Sequence, residues 1–475
     1  MKFISLEYVK KIPIPIISIL LVITSILTRN TTFLCIAILM ILLLAFYKTI
    51  HDIHKNIVFI LFNCMLTLFV SGKVIVDGLY GEAFQNFSRD IQIHSLLCIY
   101  LSHFFLYLGY MYFINKKSKS KEEGNSRFDY SNYTIVYKIL LFFYIISTIS
   151  FSFVILEKIL FVSNNGYLDF YTSFSSKLPL IVLRVSNLFY IVFFAIINFP
   201  MKKRIEYTIY VSFLSLSILT VFTGQRSHVA LNIMILLIIL FLKNKDILLK
   251  LYNKKIAFTM VIVFVLSLIG LQGVQSYRND HKINFSDLNP FKLLYTQGYT
   301  SNVIAYSKLV ENSLDDNLYS IASVRELIKN NSILKKLFNF KSYKGNTYDI
   351  VQYDSYLSYD VSYLILGDQY YKGEGLGTCY IAEIYHDFSY VGVCIFAIIC
   401  SYLCIAFNNY YKKNFVLACI MLISLKYFLF LPRWDTLYFL AAPFQSMNII
   451  IIILLYFFND YKIESLFKIF TKKKE

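Results

Sequence analysis

Apolar runs separated by short polar connections repeat along the chain from end to end. Runs of about 17 residues or more are long enough to cross a bilayer core as helices. The pattern predicts twelve spans, at 12–28, 32–48, 56–72, 95–114, 136–157, 178–200, 206–223, 228–242, 256–275, 380–407, 415–431 and 436–458. The connections alternate in charge. Lys10 and Lys11, Lys48 and Lys55, the cluster from Lys116, "KKR" from Lys202, the stretch from Lys243, Lys412 and Lys413, and "KKK" from Lys472 fall on one side. The opposite connections carry few cations: Arg29, Lys73, Arg89, Lys158, Lys177, Arg226 and Arg433. Because cations collect on the cytoplasmic side, both termini are predicted in the cytoplasm of a multi-pass bacterial inner-membrane protein.

The same reading divides the chain into three parts. Residues 1–275 form an N-terminal bundle of about nine spans, 276–378 a large external loop, and 379–475 three further spans with a basic cytoplasmic tail. The fold class is an all-α integral membrane protein. The external loop has 11 Lys/Arg and 11 Asp/Glu, so the basic bias vanishes there, and it is rich in tyrosine from Tyr353 to Tyr371. Loops this long in compact proteins are usually functional. Part of it is predicted helical. Ser323 and Glu326 stand at capping-box spacing, and Ile321, Val324, Ile328, Leu334, Leu337 and Phe338 mark one face. Asn289-Pro290 is a second helix start. Such a helix either packs on its own loop or lies on the membrane surface as a lid over a site.

Composition sharpens this picture. The chain is 57% hydrophobic and 18% aromatic, with mean hydropathy +0.58, which excludes a soluble protein of 475 residues. The formal charge of +17 sits in the short connections as topology signals, so no nucleic-acid partner is expected. Most of the eight cysteines lie inside apolar runs and form no disulfide framework. The first run lacks a small-residue cleavage site after it and reads as a retained span. No HExxH, Walker or dinucleotide glycine motif appears, and neither a cofactor nor a metal is expected.

Charges within or at the edge of the membrane are costly and each needs a reason. Arg226, in "TGQRSH", breaks the side bias, and Gly224 permits a tight turn there. Arg184 lies roughly 9 Å below the outer end of the sixth span, at ~1.5 Å rise per residue. Lys426 lies similarly deep in the eleventh, Arg433 stands at its outer end, and Arg278 follows the ninth. Singly, each is explained by snorkelling. Together they predict an anion site at the outer face, since guanidinium forks match phosphate oxygens. His228 either orients a phosphate or sugar hydroxyl or caps its span. Glu383, His386, Asp387 and Tyr390 fall at i, i+3, i+4 and i+7, on one predicted face of the tenth span. That stripe serves either helix packing or a general base with a tuning partner.

The "TGQR" turn, the single late external loop and "GEGLGTCYIAEIYHDFSYVGV" after it resemble the bacterial oligosaccharide repeat-unit (O-antigen or capsule) polymerases, the Wzy family. In that family a glycine is common where Ser389 stands. The resemblance implies the GT-C-like architecture shared by polymerases and ligases. It also implies glycosyl transfer at the outer face of the membrane, from an undecaprenyl-diphosphate-linked oligosaccharide onto another lipid-linked repeat unit, with no nucleotide or metal. Membrane lipids are implied partners, and there is room for a chain-length regulator protein and a flippase. The chemistry fits the residues. A diphosphate leaves without prior protonation, so cations and one base suffice. Arg226, Arg278 and Arg433, helped by Arg184 and Lys426, are expected on the diphosphate or glycan. Glu383 is the first choice of base and His386 the second. An O-antigen ligase remains a rival with the same donor, and a lipid-linked-oligosaccharide flippase or other transporter is a second. The scarcity of mid-span acidic residues and of matched halves disfavours a transporter. A non-catalytic assembly protein is the third.

Overall fold

The computed structural model describes residues 14–119, 134–166, 170, 173–223, 226–243, 295–341, 343, 345–410 and 415–459. Among the described residues every regular element is a helix. Helix occupies each predicted run except the ninth, 256–275, which lies outside the described residues, as do Arg278 and Asn289-Pro290. Among the described residues, six helices are long and apolar enough to cross a membrane: Thr31–Asp52, Lys55–Leu79, Arg89–Lys116, Val136–Asn165, Lys203–Thr223 and Tyr380–Asn409. Shorter apolar helices fill the runs at Ile14–Thr28, Leu180–Ile196, Val229–Lys243 and Phe415–Phe428.

Two predicted spans are not single rods. The run at 178–200 is two helices, Leu180–Ser186 and Phe189–Ile196, interrupted at Asn187 and Leu188. The run at 436–458 bends by 67° between Tyr438–Phe444 and Met447–Phe457; counted as one span it makes a seventh. Pro443 stands at that bend, where its missing N–H breaks the helical ladder.

The Tyr380–Tyr410 helix is the axis of the fold. It packs along Arg89–Lys119, against Ile53–Leu66, and at its start against the loop turn Tyr319–Ile321. The long contact with Arg89–Lys119 depends on Gly109. A Cβ there would stand 2.3 Å from Ser401 Oγ and 3.3 Å from Ile398 Cα, so only a glycine allows that approach.

Contacts tie the ends of the helices together: Arg29 pairs with Asp90, Arg433 reaches Gln297, and the Ser320 backbone N–H donates to Asp387. At the other end, Asn408 reaches the Lys55 carbonyl, and Lys243 pairs with Glu206.

The loop helix differs from expectation. It breaks at Asn330 and Asn331 into Ala322–Lys329 and Ser332–Phe338. Ser323 does not cap it; its hydroxyl donates to Asp435 Oδ2 at 3.2 Å. Glu326 instead accepts from Tyr356 and Asn330. Ala322 and Ser323 are the buried side, near the Tyr438–Ala441 helix, while Ile328, Leu337 and Phe338 are exposed. Long-range hydrogen bonds through Ser323 outweigh the apolar periodicity in choosing which side turns inward.

Candidate active site at the head of the central helix

Glu383 and the His386–Asp387 pair lie one turn apart at the start of the central helix, in different surroundings. Glu383 is 1% exposed. Its Oε1 accepts from the Thr378 hydroxyl at 2.8 Å, and its Oε2 accepts both the backbone N–H and the hydroxyl of Thr436, at 2.8 and 2.7 Å. Two of the three donors, both from Thr436, tie the carboxyl to the turn after Phe415–Phe428. The next residue of that turn inward, Asp435, accepts from Ser323 of the external loop, and burial pushes its carboxyl up to about 7. Glu383, Asp435 and Ser323 thus join three parts of the chain far apart in sequence.

His386 and Asp387 form an oriented pair. Asp387, whose side chain is fully shielded, accepts the backbone N–H groups of Tyr319 and Ser320 at 3.0 and 2.8 Å. Its Oδ1 also lies 3.1 Å from His386 Nδ1. A carboxylate only accepts, so this contact places the proton of a neutral imidazole on Nδ1 and leaves the Nε2 lone pair for a substrate. The His386 side chain keeps 15% exposure. The Tyr319 ring meets the imidazole edge-on at 4.8 Å. Tyr319 is held in turn by Asp360, whose Oδ2 accepts its hydroxyl at 2.6 Å. Burial raises the Asp360 carboxyl to about 7, and its Oδ1 is buried with no hydrogen-bond partner.

Tyr390 does not continue the stripe. Ser389 has φ 56° and ψ −160°, a conformation open almost only to glycine, and it breaks the helix between Asp387 and Tyr390. Beyond the break Tyr390 turns to another partner, His94 Nδ1, at 2.8 Å. His94 meets the Tyr385 ring at 4.2 Å, and the Tyr385 hydroxyl accepts from Lys308 at 3.3 Å. The break also explains the position's chemistry: serine stands where the backbone asks for glycine. The apolar helix Tyr380–Asn409 has 30 residues, more than the ~20 that cross a bilayer core, and Glu383, His386 and Asp387 lie in its first turns.

Of the five predicted cations, Arg433, Lys426 and Arg184 have described side chains. Arg433 donates to Gln297 Oε1 and lies 5.4 Å over the Phe69 ring, at the same end as Glu383. Lys426 is 2% exposed, with Nζ 3.7 Å from the Tyr190 ring centroid and 5.6 Å from that of Tyr427. Two aromatic faces attract the ammonium there. Arg184 is exposed on Leu180–Ser186, as a snorkelling arginine would be. Arg226 opens the Arg226–Lys243 helix, and the side chains of Arg226 and His228, like all of Arg278, lie outside the described residues. Trp434 packs between Phe430 and Tyr438.

Thr378, Thr436, Asp435, Tyr319, Asp360 and His94 were not singled out by sequence. For Thr378 the signal was present: it is five residues before Glu383 in the same motif. For the others the partners are long-range, and often backbone, so residue type carries no signal.

No curated protein and no solved structure matches the chain. A family model, described as O-antigen polysaccharide polymerase Wzy, matches residues 11–464, nearly the whole length. The chain belongs to the O-antigen polysaccharide polymerase Wzy family.

Proposed function

We propose that this protein polymerises lipid-linked oligosaccharide repeat units at the outer face of the cytoplasmic membrane, with His386 as the general base. The donor is a growing glycan on undecaprenyl diphosphate and the acceptor is a second lipid-linked repeat unit. The bundle has twelve spans with both termini in the cytoplasm, and the head of the central helix faces outward. The observation that carries the reading is the His386–Asp387 pair, oriented by backbone N–H groups of the external loop in a chain of the Wzy family.

In the step proposed, an acceptor hydroxyl approaches His386 Nε2. Nε2 takes its proton as the oxygen attacks the anomeric carbon of the donor sugar. The bond from that carbon to the diphosphate oxygen breaks, and undecaprenyl diphosphate leaves with both electrons of that bond. Asp387 fixes the imidazole and stabilises the imidazolium that forms. Arg433, with Arg226 and Arg278, holds the anionic oxygens, with Arg184 and Lys426 as secondary helpers; the Lys426 ammonium lies against the Tyr190 ring. Glu383, the first expectation as base, is assigned here to holding the fold, because its three donors and burial keep it from a substrate.

The test uses the full-length protein in proteoliposomes with synthetic lipid-linked repeat units. Longer lipid-linked chains support the polymerase. Transfer to lipid A-core instead would make it a ligase, and relocation without new bonds a flippase. Arg226→Lys keeps charge but loses the fork, so product length should fall sharply; near-normal length would remove Arg226 from the diphosphate site.

A further inference from the structure

We propose that an exposed tyrosine platform on the external loop, Tyr348, Tyr363 and Tyr371, is a second glycan-binding site that holds the polymer away from the reacting end. The proposal rests on the polymerase reading above. The platform is built rather than incidental. Gly367 has φ 56°, which lets the chain reverse between Leu357–Leu366 and Asp368–Tyr371. That reversal brings Tyr363 edge-on to Tyr348 at 5.7 Å and to Tyr371 at 6.1 Å. Beneath them Tyr370 is fully buried and donates its hydroxyl to the Thr347 carbonyl, while Asn346 ties the Tyr370 and Glu374 carbonyls together. Tyr348 and Tyr371 nevertheless remain 52% and 48% exposed.

The chemistry of the patch selects its occupant. Tyrosine offers a flat apolar face with a polar edge at little conformational cost. A pyranose presents the complement, an apolar C–H face rimmed by hydroxyls. Asp349, Asp368 and Glu374 are exposed around the rings beside Lys372, so acceptors for sugar hydroxyls are at hand and an anionic lipid surface is disfavoured. The cationic, aliphatic part of the loop lies elsewhere, with Lys336, Leu337 and Phe338.

Position supports the same occupant. Asp360, on the helix that carries Tyr363, anchors Tyr319 beside His386. Tyr363 follows three residues on, about 4.5 Å further along the helix axis. One helix therefore connects the platform to the proposed base through Asp360 and Tyr319.

The experiment uses full-length protein in nanodiscs and the lipid-free polymer of the organism's own repeat unit as probe. Binding is read by saturation-transfer NMR and titration, which needs no turnover, so failure of the polymerase reading and failure of this one are separable. Tyr348→Ala and Tyr371→Ala, singly and together, should weaken polymer binding about tenfold. They should shorten the products made in proteoliposomes, while the coupling of two single repeat units stays within about twofold. Tyr371→Phe keeps the ring and should keep most binding. Unchanged binding and product length in the double variant would overturn the proposal. So would an equal loss of single-unit coupling, which would place the tyrosines in the reaction site. A change confined to oligomer size would make the patch a protein contact and overturn it as well.

Discussion

Glu383 and His386 stand less than one turn apart on one helix, and the fold treats them oppositely. Glu383 has every donor it can use: two threonine hydroxyls and a backbone N–H fill its lone pairs and seal it from solvent. His386 has one partner that fixes its tautomer and one nitrogen left over. The difference separates two uses of a buried polar group. A carboxyl bonded on both oxygens fastens elements together, because breaking any bond leaves a buried polar group short of a partner. An imidazole held on one side only is oriented for proton transfer.

The largest expected effect breaks the comparison at His386. His386→Gln removes the free ring nitrogen and should lower single-unit coupling by about 10²–10⁴-fold, the usual contribution of a general base, with the protein still folded in the membrane. Coupling within tenfold of the parent would move the base elsewhere. Asp387→Asn keeps the shape but presents an amide to Nδ1 and loses the charge. It should lower coupling by at least about tenfold, with little change in the amount of folded protein.

Glu383→Gln should behave the other way. Its amide N–H groups would face a hydroxyl or N–H where a carboxyl oxygen accepts one, at a cost of about 1–3 kcal/mol for a buried group left without its partner. The variant should melt lower and expose the loop to protease, while the molecules that remain folded couple near the parental rate. Full stability with abolished coupling would restore Glu383 as the base and demote His386.

This contrast marks how far the sequence could be read. Period and charge found the helical runs, because burial in lipid demands long apolar stretches whatever their neighbours. They also found Glu383, His386 and Asp387 as a group. The rest depended on what sits across from each. Thr436 meets Glu383 from 53 positions away, and Tyr319 meets Asp387 from 68, the latter through backbone N–H, which any residue but proline supplies. The stripe through Tyr390 assumed a continuous helix and failed at Ser389, since helical spacing holds only while φ and ψ do. The cations are legible as charges, but periodicity does not say which neighbour a helix face meets, such as the Tyr190 ring against Lys426.

A smaller effect concerns the fastening around these two groups. Asp435 and Asp360 are both pushed up to about 7 by burial. A carboxyl raised in the fold contributes stability that is fully present below its ordinary value near 4 and lost as pH rises through about 7. The external loop should therefore resist protease better at pH 5.5 than at pH 8, and melting should follow the same order. Asp435→Asn and Asp360→Asn together should flatten that dependence, by an amount on the order of 1–2 kcal/mol. A loop equally resistant at both pH values in the parent would show that neither carboxyl governs its attachment.

The smallest effect lies at Ser389, which divides the head of the helix from the span that follows. A non-glycine residue at φ 56° and ψ −160° costs about 1–3 kcal/mol. Ser389→Gly removes that cost, while glycine's greater freedom in the unfolded chain returns about 0.5–1 kcal/mol of it. The net should be a gain of about 1 kcal/mol, seen as a slightly higher melting temperature with coupling unchanged. Ser389→Val should be poorly tolerated, because a branched Cβ fits that backbone worst. If Ser389→Gly stabilises the protein and coupling holds, the strain serves geometry alone: it turns His386 and Asp387 toward Tyr319 while letting Tyr390 turn to His94. If coupling falls while stability rises, the rigidity of a side chain at the break is what keeps the imidazole aimed.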